Sequence, residues 1–128
     1  MTEHERQIFN LVRAELSDEL IPSRYKNVLN HRMCGHCHHA SLAMYNLLGG
    51  KEAGYKLQKA TDEKDIIHYW LLSPTGEIID STIEQYTELK RPIPYSRKKD
   101  NRASYRKTAA TNHIISAVKL KLAVKAYT

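Results

Sequence analysis

The sequence predicts an α+β fold, with helices packed on a small antiparallel sheet, and three observations carry that prediction. A helical period opens the chain at Ile8, Leu11, Val12 and Leu16. Three short segments follow in its middle, with Ser73-Pro74-Thr75-Gly76 as a turn between the last two. A helical period then returns at Ile114, Ile115, Val118 and Leu122. Helices on either side of a run of strands indicate α+β packing. At 128 residues, with no repeat and no low-complexity linker, the chain 1–128 reads as a single domain around one core.

Each element follows from local chemistry. The first helix is expected over residues 2–16, where Thr2 and Glu5 have capping-box spacing. Pro22 closes that region, and residues 23–33 show no clear period. A second helix begins at Cys37 and turns Ala40, Ala43, Met44, Leu47 and Leu48 to one side. Gly49-Gly50 stops it, because glycine accepts the left-handed conformation that ends helices. Strands are expected at residues 54–59, 66–72 and 77–81, the last two as an antiparallel hairpin. After the break at Pro92 and Pro94, residues 103–126 read as one or two helices whose buried stripe ends near Ala126.

Composition narrows the function classes. Apolar residues are 41% and charged residues 27%, the balance of an ordinary globular protein. No apolar run approaches the roughly 18 residues of a membrane span. The first residues carry Glu3 and Glu5 and lack an apolar signal core, so we expect a cytoplasmic protein without a secretory signal. Cys34 and Cys37 are too close to staple a secreted scaffold. The net charge is +6, and much of the excess follows Lys90, at Arg91, Arg97, Lys98, Lys99, Arg102, Arg106, Lys107, Lys119, Lys121 and Lys125. Such a half reads first as a solvated face, and second as a surface for an acidic protein or nucleic acid.

The chemistry centres on Cys37, in Cys34-Gly35-His36-Cys37-His38-His39. His68 follows on the second strand and Asp80 on the third, giving the order Cys, His, Asp. That is the order of a nucleophile, its base and the group that orients the base. A helix start favours a thiolate through its unpaired N–H groups and positive dipole end. An imidazole beside it takes the proton and later returns it to the leaving group. Across the four-residue turn, His68 and Asp80 count as directly opposite or one position apart. Blander roles exist for each: a core cysteine, a core histidine, and an aspartate capping Ser81-Thr82. Their order and spacing together favour the catalytic reading.

A metal is the main chemical rival. Cys34, His36, Cys37, His38 and His39 all suit zinc, and His31, His68 or His113 would have to complete the shell. Adjacent residues rarely converge on one ion, and no second CxxC or HxxxH occurs elsewhere, so we expect no metal. A thioredoxin-type redox site needs a preceding strand that this sequence lacks. Cys34 is therefore read as a neighbour without a chemical role. Tyr25, Tyr45, Tyr55, Tyr69 and Trp70 suit either a pocket wall or the core.

These motifs resemble the papain/transglutaminase-like superfamily. Cys34-Gly35-His36-Cys37 echoes the Cys-Gly-x-Cys of the papain helix start. His68-Tyr69-Trp70 and Asp80-Ser81-Thr82 resemble the compact transglutaminase-type core, with His-x-Trp before Asp-x-Thr. Gly35-His36-Cys37, Gly49-Gly50, His68-Tyr69 and Asp80-Ser81-Thr82-Ile83-Glu84-Gln85-Tyr86 are similar to the small YunG-like bacterial and phage proteins. The likeness covers about residues 34–86, with a looser echo at 94–97 and in the final helix. It implies Cys37 as nucleophile, His68 as base and Asp80 as orienter in a cysteine hydrolase or acyltransferase. It implies an amide, isopeptide or thioester in a protein or small substrate, and no cofactor. The upstream glutamine that serves papain-like enzymes as oxyanion donor has no counterpart, which leaves Asn30 or His31 with the Cys37 backbone N–H. The alternative is a non-catalytic binding or inhibitor module of the same fold, using its basic C-terminal half.

Overall fold

The structure, a computed structural model, describes residues 1–26, 31–98 and 103–126. Helix α1, Glu3–Ala14, starts as its capping box dictates: the Glu5 N–H donates to Thr2 Oγ1 at 3.0 Å, and the Thr2 N–H donates to Glu5 Oε1 at 2.8 Å. Those bonds satisfy two donors that the first turn leaves open. Glu5 is buried, and its second oxygen accepts from the Tyr55 hydroxyl at 2.6 Å.

Three helices share one core. Ile8 and Val12 of α1 pack with Ala40, Ala43 and Met44 of α2, Cys37–Leu47, and with Ile114 and Val118 of α4, Ala109–Ala126. A fully buried side chain of this kind contributes about 1.5–3 kcal/mol. Helix α4 is a single helix, and residues 103–108 run into it as an extended approach. Thr108 and Thr111 cap its start by exchanging backbone N–H to hydroxyl bonds, each 3.2 Å long. Its stripe is buried at Ile114 and Val118 and half-buried at Leu122, while Ala126 is exposed. The last turn therefore carries no core residue, although the stripe alone had suggested Ala126 as one.

The sheet is antiparallel in the order β1-β2-β3, with β1 at Lys56–Thr61, β2 at Ile67–Leu72 and β3 at Ile78–Ile79. Strand β1 begins two residues later than expected because Gly54, at φ +90°, still belongs to the preceding turn. Strand β3 is short, and the chain leaves the sheet at Asp80. The hairpin register also corrects an expectation. Leu71 pairs with Ile79 and Leu72 with Ile78, so the register carried on sets Asp80 across from Trp70, two positions from His68. The cause is the turn, which the Ser73 and Glu77 backbones close at 2.9 Å, leaving only residues 74–76 in the loop.

The two faces of the sheet meet different neighbours. Leu57 and Tyr69 pack on Leu42 of α2. On the other side, Trp70 is fully buried and donates its indole N–H to Gln58 at 2.9 Å, so it is a core residue. Helix α3, Glu84–Thr87, lays the Tyr86 ring 4.7 Å from the His68 ring. The turn Tyr95–Arg97 lays Tyr95 4.9 Å from Trp70. Among the described residues, no helix is long and apolar enough to cross a membrane.

Candidate active site

Cys37 is the first residue of α2 and is half-buried. The chain turns into it at Gly35, where φ is +89° and a Cβ would come 2.7 Å from Ile21 Cγ2. Only glycine takes both that conformation and that contact without strain. The N-cap His36 makes no side-chain bond to the helix backbone. The helix start therefore keeps its N–H groups and dipole available near the sulfur.

The histidines beside Cys37 each have a hydrogen-bond partner other than its thiol. His36 Nδ1 and His39 Nε2 share a bond of 2.7 Å, and both rings are buried. Burial pushes both imidazoles down, His39 to about 3 with the neighbouring histidines adding to the shift, so the pair is neutral near pH 7. His38 donates from Nε2 to the Ser104 carbonyl oxygen at 2.9 Å and rests against Tyr69. His31 donates from Nε2 to Glu88 at 3.0 Å, while its Nδ1 accepts the Met33 N–H. Both of its nitrogens are occupied, which removes it as the oxyanion donor; Asn30 lies outside the described residues. Among the described residues, no group of three or more His, Cys, Asp or Glu is arranged to hold a metal ion.

His68 and Asp80 meet directly. The buried His68 ring donates from Nε2 to Asp80 Oδ2 at 2.6 Å. The same oxygen accepts from the Tyr95 hydroxyl at 2.7 Å, and Asp80 Oδ1 accepts the Thr82 N–H at 3.2 Å. Asp80 thus orients the imidazole and caps the Ser81-Thr82 turn at once. Burial, followed by the charge and hydrogen bond of Asp80, holds the Tyr95 phenol well above its usual range, so it stays a donor. Burial alone would lower the His68 pKa, but the hydrogen bond and charge of Asp80, with the nearby Cys37 thiol, outweigh it and carry the ring up to about 9.

The other His68 nitrogen faces Gln85. Gln85 Nε2 lies 3.3 Å from His68 Nδ1 and 3.2 Å from Thr82 Oγ1. A neutral ring accepts the amide N–H there, whereas an imidazolium needs the amide oxygen, because both its nitrogens then donate. A half-turn of the amide serves either state, and the Thr82 hydroxyl pairs with either end. The Cys37 thiol lies close enough to His68 to raise its pKa, yet its own hydrogen bond runs to the Ile67 carbonyl oxygen at 3.7 Å.

Cys37, His38, His39 and Gln85 line one cleft of about 520 Å³ together with Tyr25 and Tyr69, whereas His68, Asp80, Thr82 and Tyr95 are not among its lining residues. Of the residues named from sequence, Cys37, His68 and Asp80 come together. Gln85, Thr82 and Tyr95 belong with them and received no role from sequence. The spacing of Asp80, Thr82 and Gln85 was the local signal for the first two, and the looser echo at 94–97 covered Tyr95. Compared with family models, curated proteins and solved structures, the chain matches none.

Proposed function

We propose that the protein is a cysteine hydrolase or acyltransferase of the YunG-like kind, with a compact papain/transglutaminase-like core. Its substrate is an amide, isopeptide or thioester in a protein or small molecule. The observation that carries this reading is the His68–Asp80 bond of 2.6 Å, with the opposite ring nitrogen beside Gln85 and that glutamine lining the same cleft as Cys37. A free thiol at such a site suits a reducing compartment such as the cytoplasm.

In the proposed cycle, His68 Nδ1 takes the Cys37 proton and the sulfur attacks the substrate carbonyl carbon. An S–C bond forms, and the carbonyl oxygen becomes an oxyanion, for which the Cys37 backbone N–H and the Gln85 amide are the donors we assign. The C–N or C–S bond to the leaving group then breaks, and the leaving group takes the proton from His68. Water or an amine gives its proton to His68, attacks the thioester carbon and expels Cys37, which recovers the proton. Asp80 keeps the ring in the required tautomer throughout. A binding module built on the basic C-terminal half has less support, because Arg91 is engaged by Asp62 and Glu63, and Lys121 by Glu15.

The test is acylation by p-nitrophenyl acetate, followed by acid quench and mass spectrometry. An acetyl thioester on Cys37 that is absent from Cys37→Ala supports the reading. Acetylation of Cys37 no faster than in the unfolded chain contradicts it.

A further inference from the structure

Charge is settled unevenly among the arginines. Arg13 is paired with Glu84, Arg32 with Glu88, and Arg91 with Asp62 and Glu63. Arg24 and Arg106 both line the cleft that holds Cys37, both are exposed, and neither has a carboxylate partner among the described residues. Among the described residues, no aspartate or glutamate lines that cleft. Apart from the reacting thiol, the formal charge that the described residues give it is therefore positive.

The two guanidiniums arrive from distant parts of the chain, and each rests on an anchored segment. Arg24 belongs to the turn Ser23–Tyr25 and stacks 4.9 Å over the Tyr25 ring. Stacking restrains the guanidinium plane and leaves its N–H edge open to a ligand. Arg106 belongs to the approach to α4, which is tied down at the two residues before it. His38 donates to the Ser104 carbonyl, and the Leu57 N–H donates to the Tyr105 hydroxyl at 3.0 Å, with the Tyr105 ring 5.0 Å from Tyr45. The same cleft has apolar lining at Leu20, Pro22, Ile67 and Tyr69. A thiol among apolar walls, rimmed by cations without an internal counter-ion, selects a ligand with an apolar body and an anionic group. A guanidinium recognises a carboxylate or other oxyanion through paired N–H donors.

We propose that the acyl donor is an anion, carrying a carboxylate or similar oxyanion near the scissile carbonyl where Arg24 and Arg106 hold it. This rests on Cys37 as the nucleophile. Iodoacetate and iodoacetamide provide the test, because they differ by one charge at nearly equal size. Both alkylate a thiolate by forming an S–C bond and releasing iodide.

At low ionic strength the iodoacetate-to-iodoacetamide rate ratio at Cys37 should exceed that of free cysteine by about tenfold, the lower end of cleft focusing effects. The Arg24→Gln/Arg106→Gln double variant should bring the ratio down severalfold, and molar salt should do the same by screening. A Lys51→Gln/Lys119→Gln variant, which removes two exposed charges elsewhere, should keep it. The arginine variant is the decisive arm, because His68 and the helix start act on both reagents in every protein compared. An unchanged ratio in that variant, or a wild-type ratio equal to that of free cysteine, overturns the substrate assignment alone. Alkylation of Cys37 by neither reagent overturns the thiol reading and this assignment with it.

Discussion

His68 Nε2 lies 2.6 Å from Asp80 Oδ2 even though the sheet register separates the two residues by two positions. The bond forms because β3 ends at Ile79, so Asp80 is released from the pleat and held by Tyr95 and the Thr82 N–H. Its consequence for stability has a definite sign. The His68 pKa rises from 6.5 to about 9 on folding, so the pair stabilises fully below about pH 6.5 and the contribution is lost as pH climbs through about 9. Urea unfolding from about pH 6 to about 10 should show that decline. Asp80→Asn should flatten it and cost roughly 3 kcal/mol near neutral pH, as breaking a buried pair does. Parallel pH curves for the two proteins would be inconsistent with the bond.

Tyr95→Phe removes one of the donors on Asp80 and leaves the others. The expected loss is about 1 kcal/mol, with the Trp70 contact retained. Denaturant unfolding checks the magnitude. A loss as large as that of Asp80→Asn would mean that Tyr95, rather than the histidine pair, anchors this corner.

Gln85 separates two roles experimentally. As an oxyanion donor it acts on acylation, and as a neighbour of His68 Nδ1 it acts on every thiol reaction. Gln85→Leu should cut acetylation by p-nitrophenyl acetate about 100-fold, the scale of losing one oxyanion donor. Alkylation by iodoacetamide forms no oxyanion and should fall much less. Equal losses in the two assays would restrict Gln85 to positioning His68.

Ser81 Oγ is buried and has no hydrogen-bond partner among the described residues. An unmet hydroxyl costs stability, so Ser81→Ala should leave the protein as stable as before or raise it by about 1 kcal/mol. A thermal melt decides this, and a clear destabilisation would reveal a partner for the hydroxyl.

Local chemistry made much of the fold readable. The Thr2/Glu5 box, the Gly49-Gly50 stop and the Ser73–Gly76 turn are short-range signals, and each marks an element boundary near where it was expected. The ends of strands were less readable, because Gly54 and Asp80 leave the sheet for backbone and tertiary reasons. The site divided along the same line. Cys37, His68 and Asp80 follow from order and local setting, whereas Tyr95 reaches Asp80 only through the folding of a later turn. The histidines near Cys37 read from sequence as possible zinc ligands, whereas in the fold His36 pairs with His39 and His38 turns to Ser104, contacts that no spacing rule encodes.

The most direct measurement is the rate at which iodoacetamide alkylates Cys37 near pH 7, read residue by residue with buried Cys34 as internal reference. A free thiol is only a few per cent thiolate there, so proton transfer to His68 should raise the Cys37 rate on the order of tenfold above that of the unfolded chain. His68→Asn, shown by circular dichroism to be folded, should remove that excess. A Cys37 that reacts no faster than an unfolded thiol, or that is indifferent to His68→Asn, would contradict a nucleophile activated by His68 and Asp80.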